Sequence, residues 1–403
     1  MIKRIKISTM LLCVAVSVTC ASAEENPHFS TNSASYVPSN AHCSDCHNSA
    51  ANNADIRQSW KASGHANVTS PAWIAYDFKN MNSCVQCHTT TGFIAYSSGK
   101  NTGAWGNASD TTKEVLACNG CHTDIATGAL RTAARVQPYA YDSYRNQDAG
   151  PSNLCVGCHS GTMSGRSIKA LPNFNTSFTG SHFFAASGIL FKSIGYEFDG
   201  QNYSNKSHFK HDRIGINNYT GYGYSTAGQG PCIACHMSSS DKHSYAAVTK
   251  DATGAVTTVS GAICAGCHTT PAFLDAARMN NRKTRYSTSL LALQKVLEGL
   301  GVYYNTTKAP YFFTDGTYMT PYTTWGNADK MGAAFNLHLL IHESGAYAHN
   351  MIYAKRLIYD SIDYLDDGVF NGSVSPTINA LSGLDATQKS TAIGYSANAG
   401  ARP

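Results

Sequence analysis

Six copies of the pentapeptide Cys-x-x-Cys-His run along the chain, beginning at Cys43, Cys84, Cys118, Cys155, Cys232 and Cys264. Two thiols separated by two residues on one tight turn can add to the two vinyl groups on one edge of a porphyrin. The histidine that follows is then carried over the ring, where its imidazole binds the iron. The spacing therefore predicts covalent haem c attachment through Cys43 and Cys46, Cys84 and Cys87, Cys118 and Cys121, Cys155 and Cys158, Cys232 and Cys235, and Cys264 and Cys267. The proximal iron ligands on this reading are His47, His88, His122, His159, His236 and His268. Of the 14 cysteines, 12 lie in the motifs and only Cys13 and Cys20 do not. No thiol is left for disulfides or an iron–sulfur cluster. Zinc ribbons also use Cys-x-x-Cys pairs, but neither zinc nor a disulfide framework explains a histidine directly after every pair. The cofactor set is six covalently bound haems c.

Six-coordinate iron needs a second axial ligand at each haem. Ten histidines lie outside the motifs: His28, His42, His65, His182, His208, His211, His243, His338, His342 and His349. His65 sits among small residues in Ser63-Gly64-His65-Ala66, and His182 follows Thr179-Gly180-Ser181, settings that let a porphyrin approach. His243 follows the fifth motif too closely to reach across its own haem, so it is expected at a neighbour. One of His208 and His211 is expected at an iron, with His42 and His28 competing for the last place. His338, His342 and His349 are spaced by 4 and 7 residues and share a helical face. His349, on the last long helix, is expected to point at iron, and the other two to meet propionates or solvent. Nine methionines are the rival ligand type. Two imidazoles stabilise ferric iron more than a His/Met pair, which keeps potentials low.

Residues 1–23 read as a secretory signal: Lys3, Arg4 and Lys6, an apolar run from Ile7 to Val18, then Ala21-Ser22-Ala23. A lipid anchor at Cys20 fits less well, because Thr19 precedes it where Gly or Ala is favoured. The expected location is exported: periplasmic, outer-membrane-associated or extracellular. No later run reaches the roughly 20 apolar residues that span a bilayer. The formal charge is +5, and without the three leader cations 27 basic residues face 25 acidic ones. Six ferric haems with their propionates add about six negative charges. The holoprotein is then mildly acidic, which argues against a nucleic-acid partner.

The elements that must position these groups are irregular. Motif starts are 41, 34, 37, 77 and 32 residues apart, with much Gly, Asn and Ser between them. This predicts a multihaem cytochrome c fold: mostly loops and short α-helices around a haem chain, little β, and a C-terminal long-helix hairpin. The expected parts are 24–270 for six-haem binding, 271–367 for a helical hairpin packing on haems, and 368–403 as a polar tail. Val248 to Val259 reads as strand–turn–strand around Asp251-Ala252-Thr253-Gly254. Residues 189–224 read as loop with short strands. Residues 273–300 carry a helical stripe of Leu290, Leu293, Val296, Leu297 and Leu300. Asp329 to Asp367 reads as one or two long helices broken at Ser344-Gly345, with Pro310 and Pro321 in the connection before them.

The motifs, Ser63-Gly64-His65-Ala66 after a tryptophan, and Cys235-His236-Met237 followed by Asp241-Lys242-His243-Ser244 carry a resemblance. So does His349-Asn350 leading into Lys355-Arg356-Leu357-Ile358-Tyr359-Asp360-Ser361-Ile362-Asp363. Over roughly residues 40–367 the chain resembles the large exported multihaem c-type cytochromes of dissimilatory metal-reducing bacteria. The resemblance implies electron carriage to periplasmic or extracellular acceptors, with other cytochromes and extracellular metal oxides as partners. The Cys-His-Met run ahead of a long helix also looks like multihaem nitrite and hydroxylamine enzymes. The chain departs from these in having six motifs rather than five or eight, and no Cys-x-x-Cys-Lys site. The alternative function is a reductase of a small nitrogen or sulfur oxyanion at one five-coordinate haem, with Lys210, Arg213, Lys355 or Arg356 holding the anion. The electron carrier, with no catalytic residue, is the leading reading. Assembly into a conducting homopolymer is a special case of it.

Overall fold

The computed structural model describes residues 51–403 apart from 101–102, 105–112, 126, 136, 207, 217–227, 239–241, 261, 269–273 and 398–399. The protein is mostly short helices and irregular connections, with three two-stranded antiparallel ribbons and no larger sheet among the described residues. No helix among them is long and apolar enough to cross a membrane.

Among the described residues the N-terminal half has two helices of eight or more residues, α1 (Ala51–Ala62) and α2 (Thr90–Ser97). Its apolar clusters are small. Trp60, Trp73, Phe78, Val115 and Ala117 form one, and Ala149, Val156, Leu190 and Phe191 another. Ribbon β1–β2 (His122–Asp124, Ala129–Leu130) starts on the histidine of the third motif. Ribbon β3–β4 (Val248–Lys250, Val256–Val259) is the expected hairpin. Its turn is closed by Asp251, whose Oδ1 accepts from the backbone N–H of Thr253 at 2.9 Å and of Ala255 at 3.0 Å. Between residues 189 and 216 the described residues form a helical turn, Ala186–Leu190, a 3₁₀ turn, His211–Arg213, and loop. The short strands expected there are absent among them. Tyr196, Phe198 and Tyr203 pack into the C-terminal core instead of pairing as a ribbon.

The C-terminal half carries the large core. Helices α3 (Ala276–Gly299), α4 (Ala328–His342) and α5 (Met351–Asp367) pack on one another. Ribbon β5–β6 (Tyr303–Tyr304, Phe312–Phe313) lies in the connection between α3 and α4. Each long helix starts on a side-chain cap. Asp275 accepts from the Arg278 N–H at 2.7 Å, Asn327 from that of Lys330 at 2.9 Å, and Asn350 from that of Tyr353 at 3.1 Å. Helix α5 ends on Gly368, whose φ of 81° suits the left-handed C-terminal position. Helix α4 is buried on every side from Met331 to Leu340, as a helix without a polar face must be.

Two expectations need correction. Leu300 does not join the stripe on α3: it is the C-cap and is exposed, while Leu290, Leu293, Val296 and Leu297 are buried. Residues 368–403 are no loose polar tail. They form α6 (Val374–Ala380) and α7 (Ala386–Ser396), and Val374, Ile378, Ala392 and Tyr395 enter the main core. Helix α7 lies along α3 and opens on a reciprocal Asp385/Gln388 capping box. The small residues around these four apolar positions hide the pattern in the sequence.

Candidate haem sites

Five proximal histidines each face one distal candidate across a gap of nearly constant width. His88 faces His182 with ring centroids 6.0 Å apart. The separation is 6.2 Å for His122 with His243, for His159 with His65, and for His236 with His349. His268 faces His211 at 6.3 Å. Two imidazoles on one iron, each with an Fe–N bond of about 2.0 Å, put their centroids about 6.3 Å apart. Cys43, Cys46, His47, His28 and His42 lie outside the described residues.

The second ring nitrogen decides which tautomer an imidazole offers to a metal. Nδ1 of His122 lies 3.1 Å from the Gly128 carbonyl, that of His159 3.0 Å from Phe184, that of His211 2.9 Å from Ala348, and that of His236 2.8 Å from Tyr245. Nδ1 of His349 lies 3.0 Å from Oε1 of Glu343, whose carboxylate is 3% exposed. Donation from Nδ1 leaves Nε2 with its lone pair directed into the gap. Burial also favours the neutral ring: it holds His65 and His88 down to about 4 and lowers His182, His211, His236 and His268. His349 runs the other way. Burial pulls it down, but the Glu343 carboxylate outweighs burial and raises it.

Backbone and ring contacts hold this arrangement. Phe78 stacks on His88 at 4.0 Å and is backed by Trp73 at 4.6 Å. His182 and Tyr245 adopt φ of 72° and 57°, conformations that non-glycine residues rarely take outside functional sites. Gly180, two residues before His182, meets His338 so closely that an added Cβ would stand 2.2 Å from Nε2.

None of the ten described motif cysteines is in a disulfide. Burial pushes Cys121 up to about 11 and Cys235 up to about 12, so neither is an activated nucleophile. Paired thiols next to neutral, facing imidazoles fit covalent haem.

The remaining histidines depart from expectation. His338 is buried, His342 is half-buried, and neither shares a helical face with His349. Helix α4 stops at Glu343, whose Oε1 accepts from the Gly345 N–H at 3.2 Å, and His349 sits on a separate turn, Ala346–His349, rather than on the last long helix. The Tyr304 hydroxyl bridges His338 Nδ1 at 3.2 Å and His342 Nε2 at 3.0 Å, with His338 only 1% exposed. His208 is exposed, and His211 three residues later faces the proximal ring.

The polyheme c-type cytochrome OmcB of Geobacter sulfurreducens is 36% identical to this chain over 362 residues, spanning 78% of the chain and 48% of the relative. OmcC of the same organism is 34% identical over 369 residues, spanning 79% and 47%. The chain belongs to the multihaem c-type cytochromes of metal-reducing bacteria. It spans about half the length of these relatives. No family model and no solved structure matches it.

In this cytochrome the cations that might have held an anionic substrate have structural partners. Arg356 donates to the Pro403 carbonyl at 2.8 Å and the Ser204 carbonyl at 2.6 Å. Lys355 lies over the Tyr395 ring at 4.8 Å. Arg213 faces Asp212 at 4.0 Å, and Lys210 is half-buried. Sequence reasoning missed Glu343, Phe78 and Tyr245. The one available signal for Glu343 was its place at the break before His349.

Proposed function

We propose that the chain carries electrons through six covalently bound haems c with mainly bis-histidine ligation, as an exported protein serving periplasmic or extracellular acceptors. The observation that carries this reading is the set of five imidazole pairs at 6.0–6.3 Å. His88 and His182, His122 and His243, His159 and His65, His236 and His349, and His268 and His211 would be axial pairs, with His47 the proximal ligand of the remaining haem. The haem irons supply a one-electron ferric/ferrous couple. The chain's part is to set spacing, axial ligands and local electrostatics. An imidazole on each side of an iron leaves no open position for a substrate, which favours the carrier over the reductase at these five sites. Other cytochromes and extracellular metal oxides are the proposed partners, and a homopolymer would be a special assembly of the same carrier.

Intact-mass measurement should find the polypeptide plus six haems. EPR of the oxidised protein should show low-spin ferric signals from at least five haems. High-spin iron at more than one haem would sink the bis-histidine assignment.

A further inference from the structure

The attachment sites do not meet in chain order. Nδ1 of His159, in the fourth motif, lies 3.0 Å from the Phe184 carbonyl, two residues after His182 of the second site. Oγ of Ser152, three residues before Cys155, accepts from the Ile233 N–H inside the fifth motif at 3.1 Å and donates to the Gln229 carbonyl at 2.8 Å, joining the fourth motif to the fifth. The imidazoles repeat the pattern: His159 is within electrostatic reach of His88, His182 and His236.

Tyr245 occupies the space between the third, fourth and fifth sites. Its ring stands 4.7 Å from His65, which faces His159 of the fourth motif, and 6.2 Å from His243, which faces His122 of the third. Its carbonyl accepts from Nδ1 of His236 of the fifth at 2.8 Å. A left-handed φ of 57° turns ring and carbonyl toward different sites. The sixth site attaches to the fifth, where Nδ1 of His211 lies 2.9 Å from the carbonyl of Ala348, the residue before His349.

We propose that the fourth site, Cys155 to His159 with His65, is a three-way junction of the haem array, contacting the second, third and fifth sites, with Tyr245 between its arms. This rests on the haem and ligand-pair reading above. A linear wire gives each interior site two neighbours, whereas groups of three other sites converge here. Charge entering at any of three arms would share this site.

The test uses the full-length holoprotein carrying His65→Met. Exchanging one imidazole for a thioether raises the potential of that haem. Dithionite, added to one electron per molecule, then reduces the fourth iron first and removes its paramagnetism. Ferric haems in contact with it lose magnetic coupling, and their EPR lines sharpen. Sharpening of three or more low-spin signals is the expected result, and sharpening of two or fewer overturns the junction. Electron cryomicroscopy of the unsubstituted holoprotein gives a reading independent of the variant. The porphyrin at Cys155 and Cys158 should touch those at Cys87, Cys121 and Cys232 at about 4 Å between edge atoms, and loss of any one contact overturns the proposal. Failure of the underlying ligand assignment shows separately, as high-spin iron in the oxidised unsubstituted protein before any reductant is added.

Discussion

At His349 the partner of Nδ1 is a buried carboxylate, whereas at His122, His159, His211 and His236 it is a backbone carbonyl. A carboxylate pulls the Nδ1 proton harder, makes the ring more basic and stabilises ferric over ferrous iron. Glu343→Gln should therefore raise the potential of the haem held by His236 and His349. Swapping a charged for a neutral acceptor weakens the bond by about 1.4 kcal/mol, or about 60 mV for a one-electron couple. Spectroelectrochemical titration of wild type and variant reads this directly, and an unchanged set of midpoints would refute it. Glu114 offers a pH test. It accepts from the Thr91 N–H and Oγ1, both at 2.9 Å, yet burial outweighs these bonds and raises it to about 7. Between the unfolded value of 4.5 and about 7 the folded chain binds a proton that the unfolded chain has lost. Stability therefore falls as pH rises through that window, by on the order of 3 kcal/mol. Glu114→Gln should flatten the melting-temperature profile across the same window.

Among the elements, Asn336 ties α4 to its surroundings. Its Oδ1 accepts the Tyr196 N–H at 2.8 Å, and Nδ2 donates to the Tyr196 carbonyl at 3.0 Å and to Ser361 Oγ on α5 at 3.1 Å. Asn336→Ala strands two buried backbone groups, and denaturant titration should show a loss of about 2–4 kcal/mol. The five facing histidine pairs, axial pairs on the proposed reading, also differ in ring twist. His122/His243, His88/His182 and His236/His349 have interplanar angles of 34–43°, while His159/His65 and His268/His211 have 62° and 72°. Nearly perpendicular rings leave two iron d orbitals almost degenerate. Oxidised protein should thus give two families of low-spin EPR signal, with the more axial family from the second group. Much of this element plan could be read in advance. The apolar period from Leu290 to Leu297 and the Ser344-Gly345 break both mark what folds. The helices after Gly368 could not, because Val374, Ile378, Ala392 and Tyr395 stand too far apart among Ser, Thr and Ala to show a period.

Across the whole molecule, each proposed distal histidine faces a motif from another stretch of the chain: His65 faces the fourth, His182 the second, His243 the third, His211 the sixth and His349 the fifth. Motif spacing marks the proximal side because that chemistry is local. Pairing depends on which loops the C-terminal core brings together, and no local signal reports it. That core is itself tied to the final residues. Arg402 forks onto Asp360 of α5 with both bonds at 2.6 Å, and Asp360 is fully buried. Arg402→Ala leaves a buried carboxylate without its counter-charge, and thermal unfolding should show a loss of about 3–5 kcal/mol.

Apolar burial is concentrated in the C-terminal helices, and the clusters around the second to fifth motifs hold only a handful of side chains each. Cofactor loading and polypeptide supply need not keep pace. A chain starved of iron should still fold its C-terminal helices together with the residues from Met163 to Tyr203 that share their core, resistant to proteases there, while the segments around the second and third motifs stay open until each porphyrin is welded in.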